Sequence, residues 1–304
     1  MSAVAAPSAT PGAIRRATLV GGTAILIWST LALLTALAGP VPPFLLVALS
    51  FGLGGLVSLG VILATGRPLL AVMRQPLPVW LLGIGGLFGY HFLYFLALQT
   101  APAAEANLIN YLWPLLIVLF SGLLPGERLR RAQVLGTAAG LAGTLLLVTG
   151  GKGVSVQAGY LPGYLAALAA SVTWAGYSVL SRRFGAVPTE IVAFFCLATA
   201  VLAVPCHLLF EQTVWPQGVW GWSIIAAMGI GPVGLAFFVW DHGVKRGDIQ
   251  TLGALSYATP LLSTGLLIAA GRAGLTWPVI AACLLIVGGA VVASRGLGKD
   301  HQRS

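Results

Sequence analysis

The sequence predicts an all-α polytopic membrane protein, with ten transmembrane helices built as two inverted five-helix repeats around a central cavity. Three observations carry that prediction: an apolar composition, a regular alternation of cation-rich and bare tethers, and a match between the two halves of the chain. Of 304 residues, 58% are hydrophobic and only 8% charged. No folding of such a chain gives it a polar surface, so lipid must be its solvent. A net charge of +9 would suggest nucleic acid in a soluble protein. Here the cations sit in the tethers and set topology, so no nucleic-acid partner is expected.

A helix needs roughly 20 apolar residues to cross about 30 Å of hydrocarbon, and ten stretches are read as spans. The first, 17–37, lies between Arg15-Arg16 and the bare turn Gly39 to Pro42, and the second, 43–65, runs up to the loop of Arg67 and Arg74. The third, 78–98, has Trp80 near its start; the fourth, 103–123, carries Pro114 midway and precedes Arg128, Arg130 and Arg131. The fifth, 132–149, contains Gly136 and Gly140; the sixth, 159–180, stops before Arg182-Arg183; the seventh, 190–209, leads to the bare loop Pro216 to Gly221. The eighth, 219–240, opens on Trp220 and Trp222 and ends ahead of Lys245-Arg246; the ninth, 249–270, carries Pro260; the tenth, 275–294, opens near Trp277. Trp80, Trp215, Trp220, Trp222 and Trp277, near span ends, suit the interfacial belt.

With the N-terminus in the cytoplasm, Arg15, Arg16, Arg67, Arg74, Arg128, Arg130, Arg131, Arg182, Arg183, Lys245, Arg246, Arg295, Lys299 and Arg303 fall on one side, and only Lys152 and Arg272 on the other. That 14 to 2 split predicts cytoplasmic N- and C-termini, with anionic headgroups as partners of the cations. Arg15 and Arg16 before an apolar stretch ending in Ala36-Leu37-Ala38 imitate an export signal. A length of about 20 residues, and the repeat below, favour an uncleaved first helix. Cys196, Cys206 and Cys283 lie inside spans without CxxC spacing or a His cluster, so no metal, disulfide framework or other cofactor is expected.

Shifted by 146 residues, the chain aligns with itself without a gap. Trp28 meets Trp174, Gly39 meets Gly185, Pro42 meets Pro188, and Gly83-Ile84-Gly85 meets Gly229-Ile230-Gly231. Tyr111 meets Tyr257, Pro114-Leu115-Leu116 meets Pro260-Leu261-Leu262, and Gly143 meets Gly289. The expected organisation is a disordered tail over 1–12, a first repeat over 13–151, a second over 159–297 and a C-terminal tail over 298–304. Each repeat holds five spans, an odd number, so the second copy must enter the membrane from the opposite side. The basic loops invert accordingly. Inverted repeats around a midplane site are the architecture of secondary transporters. Gly85/Gly89 and Gly136/Gly140 are small-xxx-small pairs suited to close helix approach, while Pro114 and Pro260 favour kinks and are assigned to gating.

Polar and aromatic residues gather in the third and fourth spans: Tyr90, His91, Tyr94, Asn107, Asn110, Tyr111 and Trp113. Spacings of three or four place Tyr90 with Tyr94, Asn107 with Tyr111, and Asn110 with Trp113 on common faces. An amide facing lipid is costly, so these faces are expected to point inward and bind substrate, with Trp174, Tyr177 and Tyr257 joining from the second half. Trp28, Trp240 and Ser256 are further candidates. No Lys or Arg lies mid-span, and the acids, Asp241 and Glu211 among them, stand in loops or at span ends. Phosphorylated anions are therefore expected to be poor substrates, and the spans offer no central carboxylate relay. A ring with balanced charge fits better: aromatic faces take a ring or an ammonium, and Asn, Tyr and Trp donors take a carboxylate.

Two five-helix repeats, each with a Pro midway along its fourth span, resemble the EamA-type carriers of the drug/metabolite transporter superfamily over nearly the whole chain. Glu105-Ala106-Asn107-Leu108-Ile109-Asn110-Tyr111-Leu112-Trp113-Pro114, with Tyr90-His91-Phe92-Leu93-Tyr94 before it, looks like the YddG-type aromatic amino acid exporters. That resemblance implies a ten-helix fold, a central cavity, and export of phenylalanine, tyrosine or tryptophan across a bacterial inner membrane. It implies a transporter and not an enzyme. Tyr257-Ala258-Thr259-Pro260 lacks the Asn and Trp of the first copy, which places specificity mainly in the first half. Other amino acids and lipophilic organic cations are the alternative cargo. The bilayer and a small molecule are the expected partners, and the oligomeric state is left open, a monomer included.

Overall fold

The computed structural model of the protein describes residues 10–125, 127–153 and 157–294. The expected tails at 1–12 and 298–304 lie outside these residues, except that Thr10 caps the first helix and Pro11 and Gly12 already belong to it. The helical spans, in chain order, are α1 (Pro11–Ala38), α2 (Pro43–Ala64), α3 (Leu77–Thr100), α4 (Ala103–Ser121), α5 (Arg131–Thr149), α6 (Ala158–Phe184), α7 (Ile191–Phe210), α8 (Gly218–Arg246), α9 (Ile249–Ala269) and α10 (Trp277–Ala293). Among the described residues, α1 to α9 are long and apolar enough to cross a bilayer, and α10 is a shorter apolar helix. Large apolar side chains face outward, Leu208 at 71%, Leu284 at 71% and Val219 at 89% exposure, as a lipid-solvated surface requires.

The interruptions in the third and fourth spans of each half follow the internal duplication, whereas the break in α1 between Trp28 and Leu31 has no counterpart in α6. In α4, helix ends at Asn110 and resumes at Trp113; in α9, it ends at Leu255 and resumes at Ala258. A proline has no N–H to offer the carbonyl four residues back and clashes with it. Pro114 and Pro260 therefore break the ladders at Asn110 and Ser256, where the kinks were expected. α3 and α8 widen at equivalent places into π-helical turns, Gly85–Gly89 and Gly229–Leu235, the second around Pro232.

Packing between the halves obeys the same symmetry: α1 lies on α8 and α3 on α6, α2 on α7, and α5 on α10. Exchanging the copies turns the first pair into the second and maps the other two onto themselves. Neither repeat is a separate lobe. Gly136 and Gly289 mark one such contact, since a Cβ on either would stand 2.3 or 2.4 Å from the other's carbonyl oxygen. The small pair Gly136/Gly140 thus serves close approach, Gly140 lying under the Tyr257 ring. Gly85/Gly89 does not: a Cβ at Gly85 would touch nothing within 4 Å, and one at Gly89 makes only an ordinary contact. In α3 the close approaches fall instead on Gly83 and Gly86, beneath the Phe195 ring of α7 and the Tyr177 ring of α6.

The tethers following α2, α4, α6 and α8 meet at one end of the bundle. Arg67 pairs with Glu190 at 2.6 Å, Arg182 with Glu127 at 2.9 Å, and Gln250 Nε2 donates to the Arg128 carbonyl at 3.2 Å. Lys245 pairs with Asp241 at 2.8 Å. Headgroups were the partners expected for these cations. For Arg67, Arg182 and Lys245 the structure supplies protein carboxylates instead, brought within reach by the meeting of the two halves. At the other end, Glu211 accepts from the Phe44 and Leu45 amides at 2.8 and 3.2 Å and caps α2, while His207 Nδ1 contacts it at 2.8 Å.

Candidate functional site

The break in α4 and the π turn in α3 present one polar and aromatic wall. Asn110, 5% exposed, donates from Nδ2 to Tyr90 Oη at 3.1 Å, and Tyr94 Oη donates to Asn107 Oδ1. Asn107 Nδ2 in turn donates to the Ala103 carbonyl at 2.7 Å. Tyr90 and Tyr94 lie parallel, with centroids 5.9 Å apart and planes 4° from coplanar. The four residues are thus held by one another. Tyr90, Tyr94, Asn107 and Tyr111 keep accessible surface, as does Trp28, whereas the Trp113, Trp174 and Trp240 rings are buried. Asn110 Oδ1 is buried and lacks a hydrogen-bond partner, an acceptor available to a donor that enters.

Behind the wall stands a nest of aromatic rings drawn from both halves. Trp174, 4% exposed, lies 5.6 Å from Tyr90, 5.6 Å from Trp28, 6.4 Å from Trp113 and 6.2 Å from Trp240, centroid to centroid. Trp113 meets both Trp174 and Trp240 edge to face. Indole donors are satisfied across the halves and within the second: Trp28 Nε1 donates to the Pro232 carbonyl in the α8 π turn at 3.0 Å, and Trp240 Nε1 to Ser178 Oγ of α6 at 3.1 Å. His91 donates from Nδ1 to the Leu87 carbonyl at 2.7 Å and sits edge-on to Phe51 at 4.9 Å.

Of the ten residues assigned to binding, Tyr90, His91, Tyr94, Asn107, Asn110, Trp113 and Trp174 are brought into this one cluster. Tyr111 stands at the α4 break and Tyr257 at that of α9, and the Tyr257 hydroxyl donates to the Tyr111 carbonyl at 3.1 Å. Tyr257 is fully buried and joins the two breaks to each other. Tyr177 packs on Trp174 at 5.3 Å, and its buried hydroxyl has no hydrogen-bond partner. Phe51 and Phe237 complete the nest, Phe237 lying 5.6 Å from Trp28 and 5.5 Å from Phe51. Nothing in their apolar sequence context distinguishes them.

Two of the charges at the end of α8 stand where the sequence places them but are buried. Asp241 and Lys245 stand in its last turns, yet their side chains are only 2% and 3% exposed. Thr189 Oγ1 donates to Asp241 at 2.7 Å and Lys245 Nζ to the Val187 carbonyl at 3.2 Å, so the tether after α6 folds over the pair. The spacing i, i+4 of an acid and a Lys in an apolar helix was the available signal. Among the described residues no group of three or more His, Cys, Asp or Glu could hold a metal ion, and the three cysteines are free.

The model of the EamA-like transporter family matches this chain twice, over residues 16–149 and 161–295, once in each half. The chain belongs to the EamA-like transporter family. This family member is a multi-pass membrane protein, and its duplicated match coincides with the two copies seen in the helix breaks. It is 60% identical over 281 residues to the aromatic amino acid exporter YddG of Ancylobacter novellus, covering 91% of this chain and 96% of that one. The protein of the same name from Escherichia coli is 27% identical over 91% of this chain and 96% of its own. A pseudopaline exporter of Pseudomonas aeruginosa is 28% identical over 73% of this chain and 74% of its own. A solved crystal structure 59% identical in sequence superposes with a TM-score of 0.88, covering 93% of this chain and 98% of the other.

Proposed function

We propose that this transporter exports phenylalanine, tyrosine and tryptophan across a bacterial inner membrane by alternating access, with both termini in the cytoplasm. The observation that carries the reading is the uncharged wall of Tyr90, Tyr94 and Asn107, which keep accessible surface, with the buried Asn110 bonded to Tyr90 and the buried Trp113, Trp174 and Trp240 indoles behind. An aromatic amino acid presents three features, and the wall answers each. Its ring stacks on tyrosine or tryptophan, its ammonium lies against their faces or on the Asn110 acceptor, and its carboxylate takes amide and hydroxyl donors. The likeness to relatives named as aromatic amino acid exporters supports the same cargo. An organic cation would leave unused the Tyr90 hydroxyl hydrogen and the second amide hydrogens of Asn107 and Asn110, which favours the zwitterion.

The halves move as pieces around this wall. Pro114 and Pro260, with the breaks they cause, and the π turns Gly85–Gly89 and Gly229–Leu235 are the places where helix geometry is already interrupted. Bending there disturbs fewest hydrogen bonds. The Tyr257 to Tyr111 bond couples the breaks of the two copies. The proposed activity is movement of the cargo without reaction, that of a transporter and not of an enzyme, and membership of a transporter family supports it. Purified protein in liposomes loaded with labelled phenylalanine should release it faster than protein-free liposomes, and unlabelled tyrosine and tryptophan should compete. Release at the protein-free rate for every aromatic amino acid would overturn the cargo assignment.

A further inference from the structure

A cavity of about 280 Å³ opens at the cation-rich end, between the halves. The first half lends it Glu127, Arg128, Arg130 and Gln133, and the second lends Arg182 and Asp248. Its size is close to the lower limit of small-molecule sites, roughly 300 Å³. Charges of both signs line it, unlike the neutral wall of Tyr90 and Asn110. Gln133 is 1% exposed, and its Oε1 has no hydrogen-bond partner. A buried acceptor left unpaired is costly, so a donor belongs beside it.

Arg182 closes this end across the halves. Its Nη2 meets Glu127 at 2.9 Å, while Nη1 donates to the Gly247 and Val244 carbonyls at 2.6 and 3.1 Å. An amino acid carries both partners of such a bridge on one carbon. Its carboxylate can replace Glu127 on Arg182 while its ammonium replaces Arg182 on Glu127 and reaches Gln133 Oε1. The exchange leaves no charge unpaired.

We propose that this cavity is the loading subsite for the zwitterionic backbone of the transported amino acid, and that loading there undoes the Glu127–Arg182 bridge. The inference rests on amino acid transport as argued above and extends it to the entrance. A bare amine or a bare carboxylate satisfies one partner and strands the other, so neither should load.

The test is photolabelling of the purified full chain with 4-azidophenylalanine, followed by mapping of the modified peptides. Adducts should appear within 127–133 and 247–250. Phenylalanine should suppress them at concentrations at least about tenfold below those needed of phenethylamine or phenylacetate, because a site built for both charged groups rejects an analogue lacking one. Gln133→Leu should lower these adducts about fivefold while adducts within 90–113 persist. The competition series needs no variant. Saturable adducts confined to 90–113, or suppression by phenethylamine as effective as by phenylalanine, would overturn the loading subsite and leave export standing. Absence of adducts at both places, together with no release of phenylalanine from liposomes, would overturn export as well.

Discussion

Adding one methyl group at Gly136 forces apart the α5–α10 contact that joins the two halves. A Cβ there would lie 2.3 Å from the Gly289 carbonyl oxygen, 2.7 Å from the Ala293 amide nitrogen and 2.9 Å from Ala293 Cβ. Ordinary contact begins at 3.4 Å, and two of the three neighbours are backbone atoms that cannot rotate away. The helices must therefore separate by about 1 Å, and overpacking of this kind costs about 1–3 kcal/mol. Alanine recovers roughly 0.5–1 kcal/mol of helix stability over glycine. Because backbone neighbours cannot yield, the cost lies in the upper half of that range, and the net loss for Gly136→Ala is about 1–2.5 kcal/mol, or a fall in Tm of roughly 2–10 °C at about 2–4 °C per kcal/mol. Gly85→Ala is the matched control, since its Cβ would meet nothing within 4 Å. It should leave Tm unchanged or slightly raised. The assay is loss of the monodisperse species in detergent as temperature rises. Equal Tm values for the two variants would refute the packing argument.

Lys245→Met leaves Asp241 charged and buried, which should cost about 3–5 kcal/mol, whereas the double variant Asp241→Asn, Lys245→Met should stay within about 1 kcal/mol of the parent; thermal unfolding of both decides. Trp113→Ala removes two edge-to-face contacts worth about 0.5–1.5 kcal/mol each, and should slow phenylalanine release roughly tenfold with membrane insertion intact; unchanged kinetics would remove Trp113 from the site. Asn110→Leu takes away the donor to Tyr90 and the unpaired acceptor, and should raise the phenylalanine concentration for half-maximal transport by about tenfold, with little change for a variant at exposed Leu123. Single cysteines replacing Arg74 and Arg183 should react with an impermeant thiol reagent from the same face of the membrane, and labelling from opposite faces would contradict the inversion.

Most of the fold was legible because it is governed by one-dimensional signals. Apolar length and the spacing of cations mark the spans, and the identical placement of Pro114 and Pro260 marks the paired breaks, since a missing N–H acts on the chain that carries it. The wall was legible for the same reason: Tyr90 with Tyr94 and Asn107 with Tyr111 are helical neighbours. Contacts between the halves were not. Phe51 and Phe237 look like any lipid-facing residue until α2 and α8 are placed together. Asp241 and Lys245 look like span-end charges until the tether of Val187 and Thr189 covers them. Gly83 and Gly86, not Gly85 and Gly89, make the close contacts of α3, because the face that meets Tyr177 and Phe195 is set by where α6 and α7 lie.

Counterflow in liposomes is the most direct test of a carrier working between two inverted halves. With unlabelled phenylalanine trapped inside and a trace of labelled phenylalanine outside, the label should rise transiently above its equilibrium level within the vesicles, and Trp113→Ala should delay the overshoot. A label that only climbs monotonically to equilibrium, or enters no faster than into protein-free vesicles, would contradict alternating access.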